Sequence, residues 1–183
     1  MHISLDGFVA GPNGEMDWIH VDEELFEYAG RMTNTSDMAL YGRKTFEMME
    51  GYWPTAADSP KASKHTIEHS AWYKKVPKIV ISKTLDGKSL KNIKVISKNF
   101  AQELNPIKKE KGEHIVIFGS PSATNALMRE DLVDDYWLFV NPVLIGKGIQ
   151  FFANLKDRVN LKLVESHPLK SGVIGLHYEV VRG

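Results

Sequence analysis

Residues 38–49 read MALYGRKTFEMM, a short aliphatic run that passes through a glycine and two cations into a segment of helical composition. Such runs are typical of buried strands. A strand that ends in glycine and leads directly into a helix points free backbone amides and cations at one place, as a bound phosphate requires. The stretch predicts a strand–turn–helix unit and a candidate anion site, with an ordinary turn carrying solvated charges as the alternative. It is not a Walker loop, because the upstream glycine and the spacing of that motif are missing.

The same alternation of strand and helix patterns continues on both sides of this unit. Further buried strands are predicted at residues 78–82, 94–97 and 114–119, and helices at residues 23–32 and 121–129. From residue 132 the pattern changes to extended stretches separated by turn residues, at 133–140, 159–166 and 173–181. Extended stretches of this kind indicate antiparallel strands. Residues 51–69 have little periodicity and are predicted to be a loop or insertion.

The chain is therefore predicted to be a single α/β domain over residues 1–183. Its sheet should be mixed, with mainly parallel central strands, antiparallel C-terminal strands and flanking helices. Hydrophobic residues make up 43% of the sequence and charged residues 25%, which is typical of a globular protein.

Charge and cysteine content exclude several classes of function. Lys plus Arg and Asp plus Glu each number 23, so the summed charge offers no long-range attraction for nucleic acid or an anionic membrane. The absence of cysteine excludes disulfides and thiolate catalysis. No apolar run is long enough for a membrane span, and the first residues lack the layout of a secretory signal. We expect a soluble, cytoplasmic protein that binds neither nucleic acid nor membrane.

Two more predicted strands end in residues that suit an anion. The strand at 114–118 is followed by a turn and helix start made of Gly119, Ser120, Pro121 and Ser122. A small residue there lets the backbone approach a ligand, and the helix dipole favours negative charge, although a simply capped helix is the alternative. Hydroxyls and a cation follow the strand at 78–82, in Ser82, Lys83 and Thr84. Three such strand ends in one domain predict an anion-binding sheet edge.

Several stretches in a fixed order resemble a known family. They are SLDGFVAGPNGEMDW at 4–18, YGRKTFE at 41–47, PKIVISKTL at 77–85, DLVDD at 131–135 and NPVLIGKG at 141–148. Together they are similar to the dihydrofolate reductase-like family, and within it to the stand-alone relatives of the reductase domain of riboflavin-biosynthesis deaminase-reductases. The resemblance spans nearly the whole chain and implies NADPH as cofactor.

The resemblance also implies roles for individual residues at the three strand ends. The family turn that meets the NADPH phosphates matches Gly42, Arg43, Lys44 and Thr45. The strand end that faces the adenosine 2′-phosphate matches Ser82, Lys83 and Thr84, which favours NADPH over NADH. Gly119 and Ser120, followed by Pro121 and Ser122, match a paired-glycine turn under the pyrophosphate, and here serine replaces the second glycine.

Further implied roles concern the nicotinamide and the substrate. Residues 6–18, which include Ala10, resemble the loop that covers the nicotinamide, and their glycine and proline residues suit a mobile lid. The carboxylate that steers protonation in folate reductases would be Asp22 or Glu23, with Glu24 as a further choice. Trp18 and Trp53 are predicted to lie in loops, where they either wall the substrate pocket or pack in the core. Trp72 and Trp137 are predicted to be core residues.

One motif points to a different chemistry. Residues 65–69 read HTIEH and match the H-x-x-E-H pattern of inverted zinc peptidases, in which two histidines one helical turn apart bind the metal. The surrounding stretch is polar and rich in lysine. An exposed amphipathic turn is the favoured interpretation, so no metal ligand is assigned.

The resemblance leads to a functional prediction with two alternatives. The chain is predicted to be an NADPH-dependent oxidoreductase, similar to 5-amino-6-(5-phosphoribosylamino)uracil reductases, that moves hydride to a small planar (pterin- or pyrimidine-like) or carbonyl substrate. A non-catalytic NADP(H)-binding module is one alternative, and a purely structural homodimer is the other. A homodimer is also expected for the enzyme, because residues 136–140 are more apolar than one sheet face can bury. In the purely structural homodimer, residues 151–152 would join residues 136–140 in the interface.

Overall fold

The computed structural model describes residues 1–85, 92–153, 155 and 157–182. Its helices in these ranges are α1 (Glu23–Asn34), α2 (Arg43–Ala56), α3 (Lys64–Lys75), α4 (Phe100–Lys108) and α5 (Pro121–Met128). Its strands are β1 (His2–Ser4), β2 (Phe8–Ala10), β3 (Ser36–Gly42), β4 (Lys78–Ile81), β5 (Ile93–Ile96), β6 (His114–Ile117), β7 (Asp135–Asn141), β8 (Ile149–Gln150), β9 (Leu161–Pro168) and β10 (Ile174–Val180). Within those ranges, no helix combines the length and the apolar character that crossing a membrane requires.

The chain divides into two compact units. The central unit is Phe26–Ala123, and the terminal unit combines Met1–Leu25 with Thr124–Gly183. The central unit contains one sheet and the terminal unit two, among the described residues. The single domain over residues 1–183 stays a prediction.

The central unit contains a four-stranded parallel sheet in the order β5-β4-β3-β6. Its middle strands are almost inaccessible to solvent, as at Ala39, Tyr41 and Val80, because parallel strands are covered on both faces. Tyr41 and Val80 pack in one core cluster with Phe46 of α2 and Tyr73 of α3. These contacts hold the two helices against the sheet.

The terminal unit contains the mixed part of the fold. Its main sheet has the order β1-β7-β10-β9, in which β1 and β7 are parallel and the other neighbours are antiparallel. A second, two-stranded antiparallel sheet joins β2 and β8. The predicted α/β fold, with parallel central strands, antiparallel C-terminal strands and flanking helices, is confirmed.

The loop predicted at residues 51–69 is wrong. Helix α2 continues through Pro54 to Ala56, and α3 begins at Lys64 after an N-cap at Ser63, whose hydroxyl accepts a hydrogen bond from the Thr66 amide. A proline inside a helix costs about 3 kcal/mol, and packing offsets that cost here. Trp53 packs against the core cluster, and the buried Ser70 hydroxyl donates to the Trp53 carbonyl oxygen at 2.7 Å.

The two histidines of the HTIEH motif pack against aromatic rings. The His65 ring stacks on Phe26 with centroids 3.8 Å apart, and the His69 ring lies 4.1 Å from that of Trp53. Both side chains are half-buried, so the expected exposed turn is wrong. In the described part of the chain, no group of three or more histidine, aspartate or glutamate side chains is placed to hold a metal ion. The motif serves to pack α3.

A buried lysine closes the C-terminal end of α3. Lys78 is 8% exposed, and its Nζ donates to the carbonyl oxygens of Tyr73 at 2.6 Å and Val76 at 3.3 Å. A cation at a helix C-terminus is favourable because the last carbonyls carry partial negative charge. Burial lowers the pKa of Lys78, whereas Glu50 raises it. The first residue of β4 therefore connects this strand to the preceding helix.

The homodimer was predicted from the apolar residues 136–140, three of which the chain itself buries. Tyr136, Leu138 and Phe139 are buried within the chain itself. Apolar side chains on β9 and β10 are exposed, and they include Leu161, Leu163, Val164 and Ile174. The homodimer stays a prediction, and these exposed residues are the ones that a partner could cover.

The packing of His69 predicts a loss of stability in acid. Burial lowers its pKa from 6.5 to about 4, so the unfolded state binds more protons than the folded state between those values. The free energy of unfolding should fall as the pH drops from about 6.5 towards 4, by roughly 1–3 kcal/mol once partial exposure is allowed for. Urea denaturation of wild type and His69→Gln at several pH values measures this.

The diagnostic quantity is the slope of stability against pH. His69→Gln should be less stable than wild type at pH 7 but should lose less stability on acidification. His114→Gln, which removes an exposed histidine of β6, controls for the loss of an imidazole. An unchanged slope in His69→Gln would contradict the prediction.

Candidate anion-binding site

The parallel sheet of the central unit gathers the three predicted strand ends at one edge. Strand β3 lies between β4 and β6, and all three run in the same direction. Their C-terminal ends therefore lie side by side, followed by residues 42–45, 82–84 and 119–122. This is the edge at which ligands of open α/β sheets bind.

A hydrogen bond between backbone and side chain connects two of these strand ends. The Gly42 amide donates to Ser120 Oγ at 2.8 Å, and that hydroxyl donates to the Phe118 carbonyl oxygen at 3.1 Å. A Cβ at Gly42 would lie 3.3 Å from Cβ of Ala123, so a residue with a side chain would require a small shift of Ala123. The Gly42 amide is already bonded and does not point a free donor at a ligand.

Two consecutive residues with positive φ form the turn after β6. Gly119 has φ of 56° and Ser120 has φ of 58°. The second value is unfavourable for a residue with a side chain. Ser120 is buried, and its two hydrogen bonds compensate for the strain. They explain how serine takes the place that the family resemblance gives to glycine.

The N-terminus of α2 has no side-chain cap. Gly42 is its N-cap residue and makes no side-chain hydrogen bond, and no acidic residue occupies the first turn. The backbone amides of Arg43, Lys44 and Thr45 form that turn, and the positive end of the helix dipole lies there. An anion is the ligand that such a helix end favours.

The two cations of this turn differ in their contacts. Arg43 forms a salt bridge with Glu47 one turn along the helix, with nitrogen and oxygen 2.9 Å apart. Both side chains are more than a third exposed, and such a pair contributes little to stability. Lys44 is exposed. A bound phosphate could therefore attract Lys44 directly and compete with Glu47 for Arg43.

The residues after β4 divide into a structural serine and two exposed side chains. Ser82 is buried, and its Oγ accepts hydrogen bonds from the backbone amides of Thr84 at 3.2 Å and Leu85 at 3.1 Å. Ser82 thus shapes the turn and presents Lys83 and Thr84 to solvent. Helix α5 starts at Pro121, whose lack of an N–H suits the first turn, and Ser122 is exposed.

Trp53 lies on α2 and not in a loop, which corrects the prediction. Its indole N–H contacts the Met49 sulfur at 3.0 Å. Trp72, which was predicted to be a core residue, also packs against the core cluster. A substrate-binding role for Trp53 stays a prediction.

The remaining predicted residues lie in the terminal unit. Ala10 is buried in β2, so residues 6–18 are partly a strand and not a loop throughout. The Trp18 indole donates to the Glu15 carbonyl oxygen at 3.3 Å. Asp22 caps α1, because its Oδ1 accepts a hydrogen bond from the Leu25 amide at 2.8 Å, whereas Glu23 is exposed in the first turn.

Sequence reasoning missed two residues that shape the sheet edge. Phe118 supplies the carbonyl oxygen that accepts from Ser120, and Ala123 presents only a methyl group to Gly42. The small side chain of Ala123, in the first turn of α5, could have indicated that Gly42 lies close to this helix. The hydrogen bonds of Ser82 and Ser120 had no such signal, because a serine pattern does not reveal whether the hydroxyl faces the backbone or a ligand.

Comparison with known proteins places the chain in a family. The model of the RibD C-terminal domain matches residues 1–174. Uncharacterized protein YyaP of Bacillus subtilis is 34% identical over 181 residues, which cover 96% of this chain and 90% of that protein. Uncharacterized protein YwjB of the same organism is 27% identical over 183 residues, which cover 96% and 92%.

Solved structures share the fold at low sequence identity. A protein of Shewanella sp. PV-4 named for riboflavin biosynthesis has a TM-score of 0.73 at 19% identity. The match covers 100% of this chain and 97% of that one. A pyrimidine reductase-like protein of Corynebacterium diphtheriae has a TM-score of 0.67 at 15% identity, with coverages of 100% and 90%.

A bifunctional enzyme shows the same fold in part of its chain. It is the diaminohydroxyphosphoribosylaminopyrimidine deaminase/5-amino-6-(5-phosphoribosylamino)uracil reductase of Thermotoga maritima, with a TM-score of 0.67 at 16% identity. The similarity covers 98% of this chain and 55% of that one. The family match over residues 1–174 confirms the resemblance seen in the sequence motifs. This chain belongs to the RibD C-terminal domain family.

Proposed function

We propose that the chain is an NADPH-dependent reductase that delivers hydride to a small planar, pterin- or pyrimidine-like, or carbonyl substrate. The family and the names of its structural neighbours favour a reductase. The observation that carries the proposal is the uncapped N-terminus of α2 beside the Gly119–Ser120 turn, on adjacent parallel strands. Helices α2 and α5 thus both begin at this sheet edge.

The residues at this edge fit a dinucleotide phosphate. The α2 amides would bind phosphate oxygens, and Lys44 would neutralise their charge. Gly119 has a positive φ of 56°, a backbone conformation that favours glycine at this part of the edge. When bound, NADPH supplies the hydride, and the protein contributes orientation and electrostatics.

The turn after β4 supports the choice of the phosphorylated cofactor. Ser82 holds the backbone of the turn, which leaves Lys83 and Thr84 exposed at the strand end. A compact cation and a hydroxyl suit the 2′-phosphate of NADPH, and NADH lacks that group.

The cofactor preference is a first test. Isothermal titration should show NADPH binding more tightly than NADH by roughly 1–3 kcal/mol, because the 2′-phosphate gains charge-assisted hydrogen bonds. Lys83→Met should weaken NADPH binding about tenfold and leave NADH binding unchanged. Lys64→Met, which removes an exposed cation of α3, is the matched control and should change neither. Equal dissociation constants for the two dinucleotides would contradict the proposal.

A second test separates the two roles of Asp22. Asp22→Asn keeps an N-cap acceptor for the Leu25 amide, so thermal unfolding should match wild type, whereas Asp22→Ala should lose about 1 kcal/mol. If Asp22 supplies the proton, Asp22→Asn should lower turnover with a pterin, pyrimidine or carbonyl acceptor while NADPH affinity stays nearly constant. Glu23→Gln is the parallel variant. Full turnover in both amide variants would show that neither carboxylate donates the proton, which must then come from water or the substrate.

A further inference from the structure

The tip of the loop between β2 and α1, residues 11–15, contains the one Asn-Gly pair in the sequence, Asn13–Gly14. Both residues are exposed to solvent. An asparagine followed by glycine is especially prone to lose its side-chain amide, because the glycine has no side chain to shield the backbone nitrogen that attacks. Gly14 has φ of 91°, a conformation that favours glycine, so the turn itself requires this residue.

Two backbone hydrogen bonds close the tip. The Gly11 amide donates to the Glu15 carbonyl oxygen at 2.9 Å, and the Gly14 amide donates to the Gly11 carbonyl oxygen at 3.1 Å. The Trp18 indole donates to the same Glu15 oxygen at 3.3 Å. Deamidation of Asn13 needs the Gly14 nitrogen as its nucleophile, and the proton on that nitrogen is therefore engaged in a hydrogen bond.

The Glu15 carboxylate holds the other reacting group. Its Oε1 accepts a hydrogen bond from Asn13 Nδ2 at 2.7 Å, and its Oε2 accepts one from the Asn13 backbone amide at 2.9 Å. Hydrogen bonding, that of the Asn13 side chain foremost, lowers the pKa of Glu15, so the carboxylate is ionised at neutral pH. The side-chain amide of Asn13 is thus held on residue 15 and is not free to rotate towards the Gly14 nitrogen.

A glycine leaves the space that this carboxylate occupies. A Cβ at Gly11 would collide with Glu15 Oε2 and would lie 3.1 Å from the carboxylate carbon. A side chain at position 11 would therefore push the carboxylate away from Asn13. The two glycines of the tip serve one interaction, because Gly11 makes room for the acceptor and Gly14 allows the turn that returns Glu15 to Asn13.

We propose that Asn13–Gly14 is a site of spontaneous deamidation whose rate Glu15 controls. In this reaction the Gly14 nitrogen attacks Asn13 Cγ, the Cγ–Nδ2 bond breaks, and ammonia leaves with the proton that the Gly14 nitrogen gives up. Water then opens the resulting cyclic imide to aspartate or isoaspartate. Glu15 slows the first step, because its hydrogen bonds must break before Asn13 Cγ can reach the Gly14 nitrogen.

The product does not fit the tip as asparagine does. Aspartate at position 13 has no side-chain N–H for Glu15 and places a second carboxylate beside it, and two like charges at this distance repel each other. Isoaspartate also adds a methylene group to the backbone of the turn. Deamidation should therefore disrupt the hydrogen bonds of the tip, including the one that Trp18 makes with the Glu15 carbonyl oxygen.

Peptide mapping by mass spectrometry measures the loss of the Asn13 amide during incubation of the whole protein at mildly alkaline pH. Folded wild type should deamidate about tenfold more slowly than the same chain unfolded in urea, because the hydrogen bonds of the tip are lost on unfolding. Folded Glu15→Ala, which lacks both acceptors, should deamidate about tenfold faster than folded wild type. Glu15→Gln keeps one acceptor, so its rate should lie between them. In urea the three chains should deamidate at similar rates.

Asp17→Ala is the matched control, because it removes an exposed carboxylate of the same loop. It should deamidate at the wild-type rate. A wild-type rate in folded Glu15→Ala would overturn the role of Glu15, and equal rates in folded and unfolded wild type would overturn protection by the tip. Retention of the Asn13 amide in the unfolded chain would overturn the site itself. If Glu15→Ala does not fold, Glu15→Gln decides between these outcomes.

Asn13→Asp carries the aspartate product from the start and tests what the reaction does to the tip. By NMR its Trp18 indole N–H signal should move towards that of a solvent-exposed indole, and the same signal should grow in wild type as it deamidates. The indole signal of Trp137, which stacks on His177 in the main sheet, should stay in place. A Trp18 signal in Asn13→Asp that matches wild type would overturn this effect on the tip.

Discussion

The hydrogen bond from the Gly42 amide to the Ser120 hydroxyl fixes the distance between the ends of β3 and β6. Two helices begin at these ends, and the bond is possible because Gly42 has no side chain and Ser120 adopts a positive φ. A Cβ at Gly42 would crowd the methyl group of Ala123, which would have to shift slightly. The arrangement of both helix starts therefore depends on one missing methyl group and one buried hydroxyl.

Most of the fold could be predicted because its strands are short, aliphatic and separated by clear turn residues. The predicted strands at 78–82 and 114–119 correspond to Lys78–Ile81 and His114–Ile117. Helix α3 was missed because the residues it turns inward include Ser70 and Tyr73, with half-buried histidines beside them. Their polarity hides the helical period, and only the aromatic neighbours in the folded chain show why they are buried.

The location of the candidate site could be predicted from the sequence, but the role of each residue in it could not. Composition and motif indicated three strand ends, and the strand order puts them at one edge. The sequence did not show that Ser82 and Ser120 bind the protein's own backbone, or that Asp22 caps a helix. These polar atoms are satisfied internally, since a buried donor or acceptor without a partner is costly. The side chains left for a ligand are fewer than the motifs suggested.

Strand β9 has a consequence for the handling of the protein. It is eight residues long, lies at the edge of its sheet and carries exposed Leu161, Leu163 and Val164. Long apolar edge strands are templates for unwanted strand addition and for aggregation at high concentration. Lys162 interrupts the apolar run and acts as a gatekeeper, because a charge placed there must be desolvated before another strand can dock. Colloidal stability during purification should be most sensitive to changes in this strand.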